Sequence, residues 1–288
     1  MRPVLDPASP VLRRDAAHLQ LGTDPIDAVV VRDLPGVADL LRRCDGLRSR
    51  EEVLSAVSTE QRLPLGEALD DLLEAGVLVD ADEHLTPGLA GETARLAGGA
   101  RTRSSVRAVL AQRRIRTVGV LGPPLAVDPL AALLADCGVP VRPGSGDLVV
   151  LVGHPEPDRE VADACVRNDV THLVAFLHSR SAALGPLVRP GRTACLRCAD
   201  SVRAETDPAW AAVVPQLGSP VQRPVGAPYA SPVLAATLVA AAAAAVLATL
   251  DGCPSPVDGA TLHWTATCGV PKVQPLHPQP SCGCTRLH

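Results

Sequence analysis

Asp147-Leu-Val-Val-Leu-Val152, a helical pattern over 158–167 and then Thr171-His-Leu-Val-Ala-Phe-Leu177 together decide the fold of this chain. Two apolar runs around a helix read as a strand–helix–strand unit. Working outward, Thr117-Val-Gly-Val-Leu-Gly122 supplies an earlier strand and turn, 128–137 a helix, and Gly138-Val-Pro-Val141 a further strand. Strands alternating with helices imply an α/β domain with a mainly parallel sheet. The first strand–turn–helix unit is where a nucleotide fold places its glycine-rich loop. Here the turn continues into Pro123-Pro124, neither of which has an N–H to offer a phosphate, and the GxGxxG spacing is not met. With Lys272 the only lysine of the 288 residues, no loop lysine is available, and ATP is not expected at this turn.

Cys195-Leu-Arg-Cys198 and the distant Cys282-Gly-Cys284 form a split quartet. A pair spaced by two residues sets two thiolates on one cation across a tight turn, and a second close pair completes a tetrahedral sulfur site suited to zinc. Free thiols and a disulfide are the alternatives. A closed four-thiolate site leaves no open position, so it points to architecture rather than metal catalysis. Cys44, Cys137, Cys165, Cys253 and Cys268 are scattered and read as small buried residues. Ser231 to Leu250 carries no charge, but it is dominated by alanine and lacks flanking Lys or Arg clusters. Ser231 as cap, Pro232 at the first helical position and Asp251-Gly252 at the end bound a buried helix rather than a membrane span. The opening Met1-Arg-Pro-Val-Leu-Asp has no apolar signal region, so a cytoplasmic, reducing location is expected.

Charge divides the chain. Residues 1–92 hold nine Arg and no Lys against eighteen Asp and Glu, a net of −9; the remainder carries +5, within a total of −4. The segment 93–116 contains seven Arg and no acid, and reads as a basic linker with a short helix over 105–113. The domain expectation is therefore 1–92, a linker over 93–116, and 117–288. In the first domain three short strands, at 11–12, 18–21 and 28–31, precede helical patterns at 37–44, 49–57 and 64–75. Ser49 with Glu52 makes a capping box, and Pro64 and Gly76 suit the ends of the last helix. Val77-Leu-Val79, the turn after it and Leu85 suggest a closing hairpin. This is an α+β winged-helix type of domain. A net of −9 opposes DNA binding, because phosphates supply most of such affinity. The other use of the fold is peptide capture by strand addition, with Val29, Val30 and Val31 at the edge and Leu65, Leu69, Leu72 and Leu73 as the facing helix wall of a groove. The same residues also suit a plain domain core.

The run Gly185-Pro-Leu-Val-Arg-Pro-Gly-Arg-Thr-Ala-Cys-Leu-Arg-Cys198, the following Asp207-Pro-Ala-Trp210, and His277-Pro with Cys282-Gly-Cys284 resemble a known family. They are similar to the ThiF-like leader-peptide-binding proteins, the cyclodehydratase partners of thiazole/oxazole-modified microcin (TOMM) biosynthesis. Arg2-Pro-Val-Leu-Asp-Pro7 and Leu19-Gln-Leu-Gly22 look like theirs too, so the similarity covers nearly the whole chain. The resemblance implies a winged-helix recognition element for the precursor leader, as in ribosomally made, modified peptides (RiPPs). It also implies a ThiF-like, Rossmann-like domain with a structural zinc on Cys195, Cys198, Cys282 and Cys284. The expected partners are the leader and a separate YcaO-type cyclodehydratase, with no nucleic acid and no membrane; a homodimer is left open. The departures at Pro123-Pro124 place the chain with the non-adenylating branch, which does no chemistry itself.

No GxSxG elbow, HExxH helix or paired acidic motif occurs. His18, His84, His154, His172 and His178 lack partners at ligand spacing, while His263 and His277 are candidates for proximity to the zinc. The competing functions are an ATP-dependent adenylating enzyme and a winged-helix DNA-binding regulator.

Overall fold

The computed structural model describes residues 1–5, 9–25, 28–75, 77–81, 91–92, 95–96, 103–153, 155–217, 230–266 and 269–285. The chain divides into two compact units, Met1–Ala111 with Asp136–Gly138, and Gln112–Ala135 with Val139–His288.

In the first unit β2 (Val11–Arg13), β3 (His18–Leu21) and β4 (Val29–Arg32) form an antiparallel sheet in the order β2-β3-β4. Alternation sorts their side chains: Leu19 and Leu21, with Val11, Val29 and Val31, pack inward, and Leu12, Gln20 and Val30 point away. Helices α1 (Val37–Arg43), α2 (Arg50–Ser55) and α3 (Arg62–Glu74) cover the inner face. The capping box starts α2: Ser49 Oγ accepts from the Glu52 N–H at 3.2 Å and the Ser49 N–H donates to Glu52 Oε2 at 2.7 Å. The expected hairpin over 77–85 falls partly outside the described residues. β5 (Leu78–Asp80) pairs antiparallel with β1 (Pro3–Leu5), at the N-terminus, while Gly76 and Leu85 lie outside the described residues.

The basic segment contributes α4 (Arg103–Ile115), longer than the helix expected over 105–113. The second unit is a seven-stranded sheet in the order β12-β11-β10-β9-β8-β6-β7. Its strands are β6 (Val118–Leu121), β7 (Val141–Pro143), β8 (Leu148–Gly153), β9 (Thr171–Leu177), β10 (Ser181–Val188), β11 (Ala260–Thr265) and β12 (Lys272–Pro275). β7, β6, β8 and β9 run parallel; β10, β11 and β12 extend the sheet antiparallel, so it is mixed rather than mainly parallel. At Gly185 (φ 101°) a Cβ would sit 2.7 Å from the Ala260 carbonyl oxygen, so only glycine lets β11 approach so closely, and the register of β10 against β9 shifts between Leu184 and Leu187.

Helix α5 (Pro124–Asp136) follows β6, α6 (Arg159–Arg167) joins β8 to β9, and α7 (Leu196–Thr206) and α8 (Trp210–Val213) follow β10. Helix α9 (Pro232–Leu250) is long and apolar enough to cross a membrane, yet it lies against β9 and β10 with Leu234, Leu238, Ala242, Ala245 and Val246 buried. At its end Asp251 takes two 2.7 Å hydrogen bonds from Arg113, both side chains being fully buried. Removing one partner breaks a buried ion pair. Asp251→Ala is therefore expected to cost roughly 3–5 kcal/mol in urea unfolding of the full chain.

His172 on β9 is fully buried; its Nδ1 reaches the Val170 oxygen at 2.9 Å and its Nε2 has no hydrogen-bond partner. Burial holds this imidazole below its ordinary range, against weaker opposing pulls from the Val170 carbonyl and Asp163. A depressed folded-state value means stability is full above the unfolded value of about 6.5 and is lost as pH falls through the folded one. His172→Asn, which keeps a donor for Val170 but cannot titrate, is expected to flatten the acid limb of a melting-temperature profile below about pH 6.5.

Candidate functional site

Loop chemistry brings the four cysteines together. After β10, Thr193 Oγ1 accepts from the Arg189 N–H at 2.7 Å and donates to the Leu187 oxygen at 3.0 Å, folding the loop so that Cys195 caps α7 and Cys198 stands in its first turn. Arg189 is ion-paired with Asp258. The C-terminal segment docks beside it: the Gly191 N–H donates to the Cys284 oxygen at 3.2 Å, and the Gln279 N–H to Cys198 Sγ at 3.3 Å. Sulfur separations are 3.9 Å for Cys195–Cys198, 3.5 Å for Cys195–Cys282 and 3.5 Å for Cys198–Cys284, and all four sulfurs lie within 4.8 Å of one another. Bonded sulfurs would be about 2.05 Å apart, so these are thiols and not disulfides. Four sulfurs at 2.3 Å around a tetrahedral ion stand roughly 3.8 Å apart, so the spacing fits a metal.

The surroundings are apolar, with Val188, Ala194, Leu196 and Leu276 packed around the sulfurs. The Cys195 thiol donates to Cys198, which, with the Gln279 N–H, draws Cys198 down to about 5. That same bond raises Cys195, and burial pushes Cys284 up to about 11. Without a cation the cluster thus favours one thiolate; a bound ion supplies the charge for four. All four sequence-predicted ligands converge. His263, whose Nε2 lies 2.8 Å from Thr261 Oγ1, and His277 are not members of the cluster.

Beside it lies a feature the sequence did not reveal. A cavity of about 470 Å³ spans α7 and the face of β9 to β12, lined by Phe176, Ala183, Thr261 and His263 and by a charged network at one end. Arg159 donates to Asp200 at 2.8 Å and to Glu156 at 2.9 Å; Trp210 Nε1 donates to Asp200 at 3.0 Å, and Arg203 stacks 3.4 Å over the Trp210 ring. Each pair is distant in sequence or on separate elements, so only Asp207-Pro-Ala-Trp210 gave any signal. At the β6–α5 turn, Pro124 opens the helix without an N–H, and the N–H groups of Ala126 and Val127 turn back onto the Pro123 oxygen. Gly122 (φ 152°) lies so near β8 that a Cβ would meet the Val152 oxygen at 2.5 Å. Such a turn presents few donors to an anion.

In the first unit, Leu65, Leu69, Leu72 and Leu73 are buried in the core, Val29 and Val31 pack partly against it, and Val30 is 45% exposed. The Asp33 N–H donates to the Ala17 oxygen, so residues 29 and 31 exchange the ladder bonds with β3. The backbone of Val30 and Arg32 therefore faces the open edge of β4, where the Arg32 oxygen accepts from the Leu34 N–H.

No family model and no curated protein matches the sequence. Among solved structures, the heterocyclase TruD is similar at a TM-score of 0.69 and 19% identity, over 99% of this chain and 42% of that one. A heterocyclase in complex with substrate and cofactor gives 0.67 at 18% identity, over 98% and 39%. E. coli MccB with ATP gives 0.58 at 13% identity, over 99% and 100%. The chain thus spans about two fifths of the length of the heterocyclases it matches. These likenesses establish a mixed α/β fold, with a seven-stranded sheet, shared with TruD and MccB.

The cysteine geometry is testable by itself. Cobalt(II) titration of reduced, chelator-treated full chain is expected to give thiolate-to-cobalt charge-transfer bands saturating at one equivalent, and Cys198→Ser to lose the tight phase.

Proposed function

We propose that this chain is a non-catalytic leader-binding partner in RiPP maturation of the TOMM type. Its winged-helix unit binds the leader of a ribosomally made precursor as an added strand. A separate YcaO-type cyclodehydratase, in the cytoplasm, forms the azolines or azoles. The ThiF-like unit is held together by a structural zinc on Cys195, Cys198, Cys282 and Cys284. Tethering would raise the effective concentration of the precursor beside the partner's active site to about the millimolar range.

The observation that carries the reading is the contrast between sheet edges. The seven-stranded sheet ends in β7, with Pro140 before it and Pro143 within it, and in β12, with Pro271 and Pro275. The Leu276 N–H donates to the Gly259 oxygen, so Val273 and Pro275 face outward and Val273 alone of the two has a donor. Such edges resist a further strand. The β4 edge has no proline and leaves outward N–H groups at Val30 and Arg32 with no strand on it among the described residues. Likeness to two heterocyclases, one bound to substrate, agrees with a peptide ligand. The donor-poor β6–α5 turn favours this reading over an adenylating enzyme, and the −9 of residues 1–92 favours it over a DNA-binding regulator.

The full chain, titrated with a fluorescent leader from a precursor encoded nearby, is expected to bind at micromolar Kd or tighter, with no heat on ATP addition. Val30→Pro removes an outward donor while sparing the β3–β4 ladder. It should weaken leader binding about tenfold or more with little change in melting temperature. Binding indifferent to Val30→Pro, or a clear ATP signal, would sink the reading.

A further inference from the structure

The outer face of the three-stranded sheet is ordered in cross-strand rows. One row is Leu12–Gln20–Val30, with Leu12 41% and Val30 45% exposed. The next is Arg14–His18–Arg32: the Arg14 N–H bonds the His18 oxygen, and His18 is the register partner of Arg32. Among the described residues, Asp15 beside this row is already engaged by His18 at 2.9 Å and by the Ala17 N–H at 2.7 Å. Asp33 is turned to Arg13 at 2.9 Å, and Arg14 reaches Gln20 Oε1 at 2.9 Å. Among the described residues Arg32 is exposed and makes no ion pair. A unit that is strongly acidic in sum thus keeps one basic row, and places it next to an apolar one.

We infer that the strand captured on β4 is recognised by a spacing: an acidic side chain opposite Arg32 and an apolar side chain two residues away, opposite Val30. This inference rests on the strand-addition reading above. Residues directly opposite on neighbouring strands have Cβ atoms about 4.5–5.5 Å apart, so each row extends one place onto an added strand. The row that ends in Arg32 then meets a carboxylate, and the row that ends in Val30 meets an aliphatic or aromatic group. The residue between them points to the inner face beside Val31, where Val29, Val31 and the core require an apolar group. The rows fix spacing and leave strand direction free. The opposite edge, β2, fails the inner-face condition because its inward register ends in the exposed Arg13, where β4 has Val29 and Val31.

The test is selection of short random peptides displayed on phage against the immobilised full chain, with each selected peptide remade with a fluorescent label and measured by anisotropy. Selected peptides are expected to share Asp or Glu two residues from an apolar residue. Replacing that acid by Lys should weaken binding roughly fivefold, and Arg32→Glu should restore the Lys peptide and penalise the acidic one by a similar factor. Peptides that bind and are lost with Val30→Pro, but show no acidic preference or no exchange with Arg32→Glu, would overturn the spacing rule while leaving strand addition intact. Exchange with Arg14→Glu in place of Arg32→Glu would move the site to β2 and overturn it as well. Failure to select any peptide sensitive to Val30→Pro would overturn both.

Discussion

The second unit depends on one constraint: two cysteines at the start of α7 and two near the C-terminus must share a space in which all four sulfurs lie within 4.8 Å of one another. The 86 and 87 residues that separate the partners across the cluster include α7, α8, α9 and the last two strands of the sheet. Closing so long a loop costs entropy that grows only slowly with length, so a single strong junction at its base orders a large part of the unit. The apolar shell of Val188, Ala194, Leu196 and Leu276 excludes water, which strengthens every charge interaction inside it and makes unneutralised thiolates costly. The four sulfurs could hold a metal ion, whose charge would offset that cost.

The seven-stranded and three-stranded sheets handle their edges differently. Prolines on β7 and β12 leave the large sheet with few outward donors, whereas β4 offers Val30 and Arg32. An unprotected edge is a liability unless something uses it, because any extended chain can pair with it. Burial of Leu65, Leu69, Leu72 and Leu73 sharpens the point. These leucines pack in the core beneath the three-stranded sheet, and the backbone edge of β4 and the sheet's outer face are what the unit exposes there.

Legibility in the sequence follows the range of the forces involved. Helices α2 and α3 and strands β3, β8 and β9 were readable because capping, apolar periodicity and β-branched runs act within a few residues. The cysteine quartet was readable because each pair is closely spaced in the sequence. Strands β1, β10, β11 and β12 were not. They are short, polar or interrupted by Gly185, Pro186 and Pro275, and their pairing is decided by partners far away, as with Pro3 opposite Asp80. The same holds for the Arg159–Asp200 and Arg113–Asp251 pairs, 41 and 138 residues apart. A buried arginine announces nothing in a sequence until its carboxylate is located.

Shared fold does not carry shared chemistry. MccB, solved with ATP, has the same architecture over the same length. What an anion meets at the first turn of such a sheet depends on the N–H groups that the turn exposes. Here Pro123 and Pro124 contribute none, Ala126 and Val127 spend theirs on Pro123, and no lysine stands nearby in the sequence to replace them. The strands on either side of the turn are intact, and the turn itself exposes few N–H donors. The likeness to MccB is therefore one of fold, and what this turn can hold is set by its own few donors.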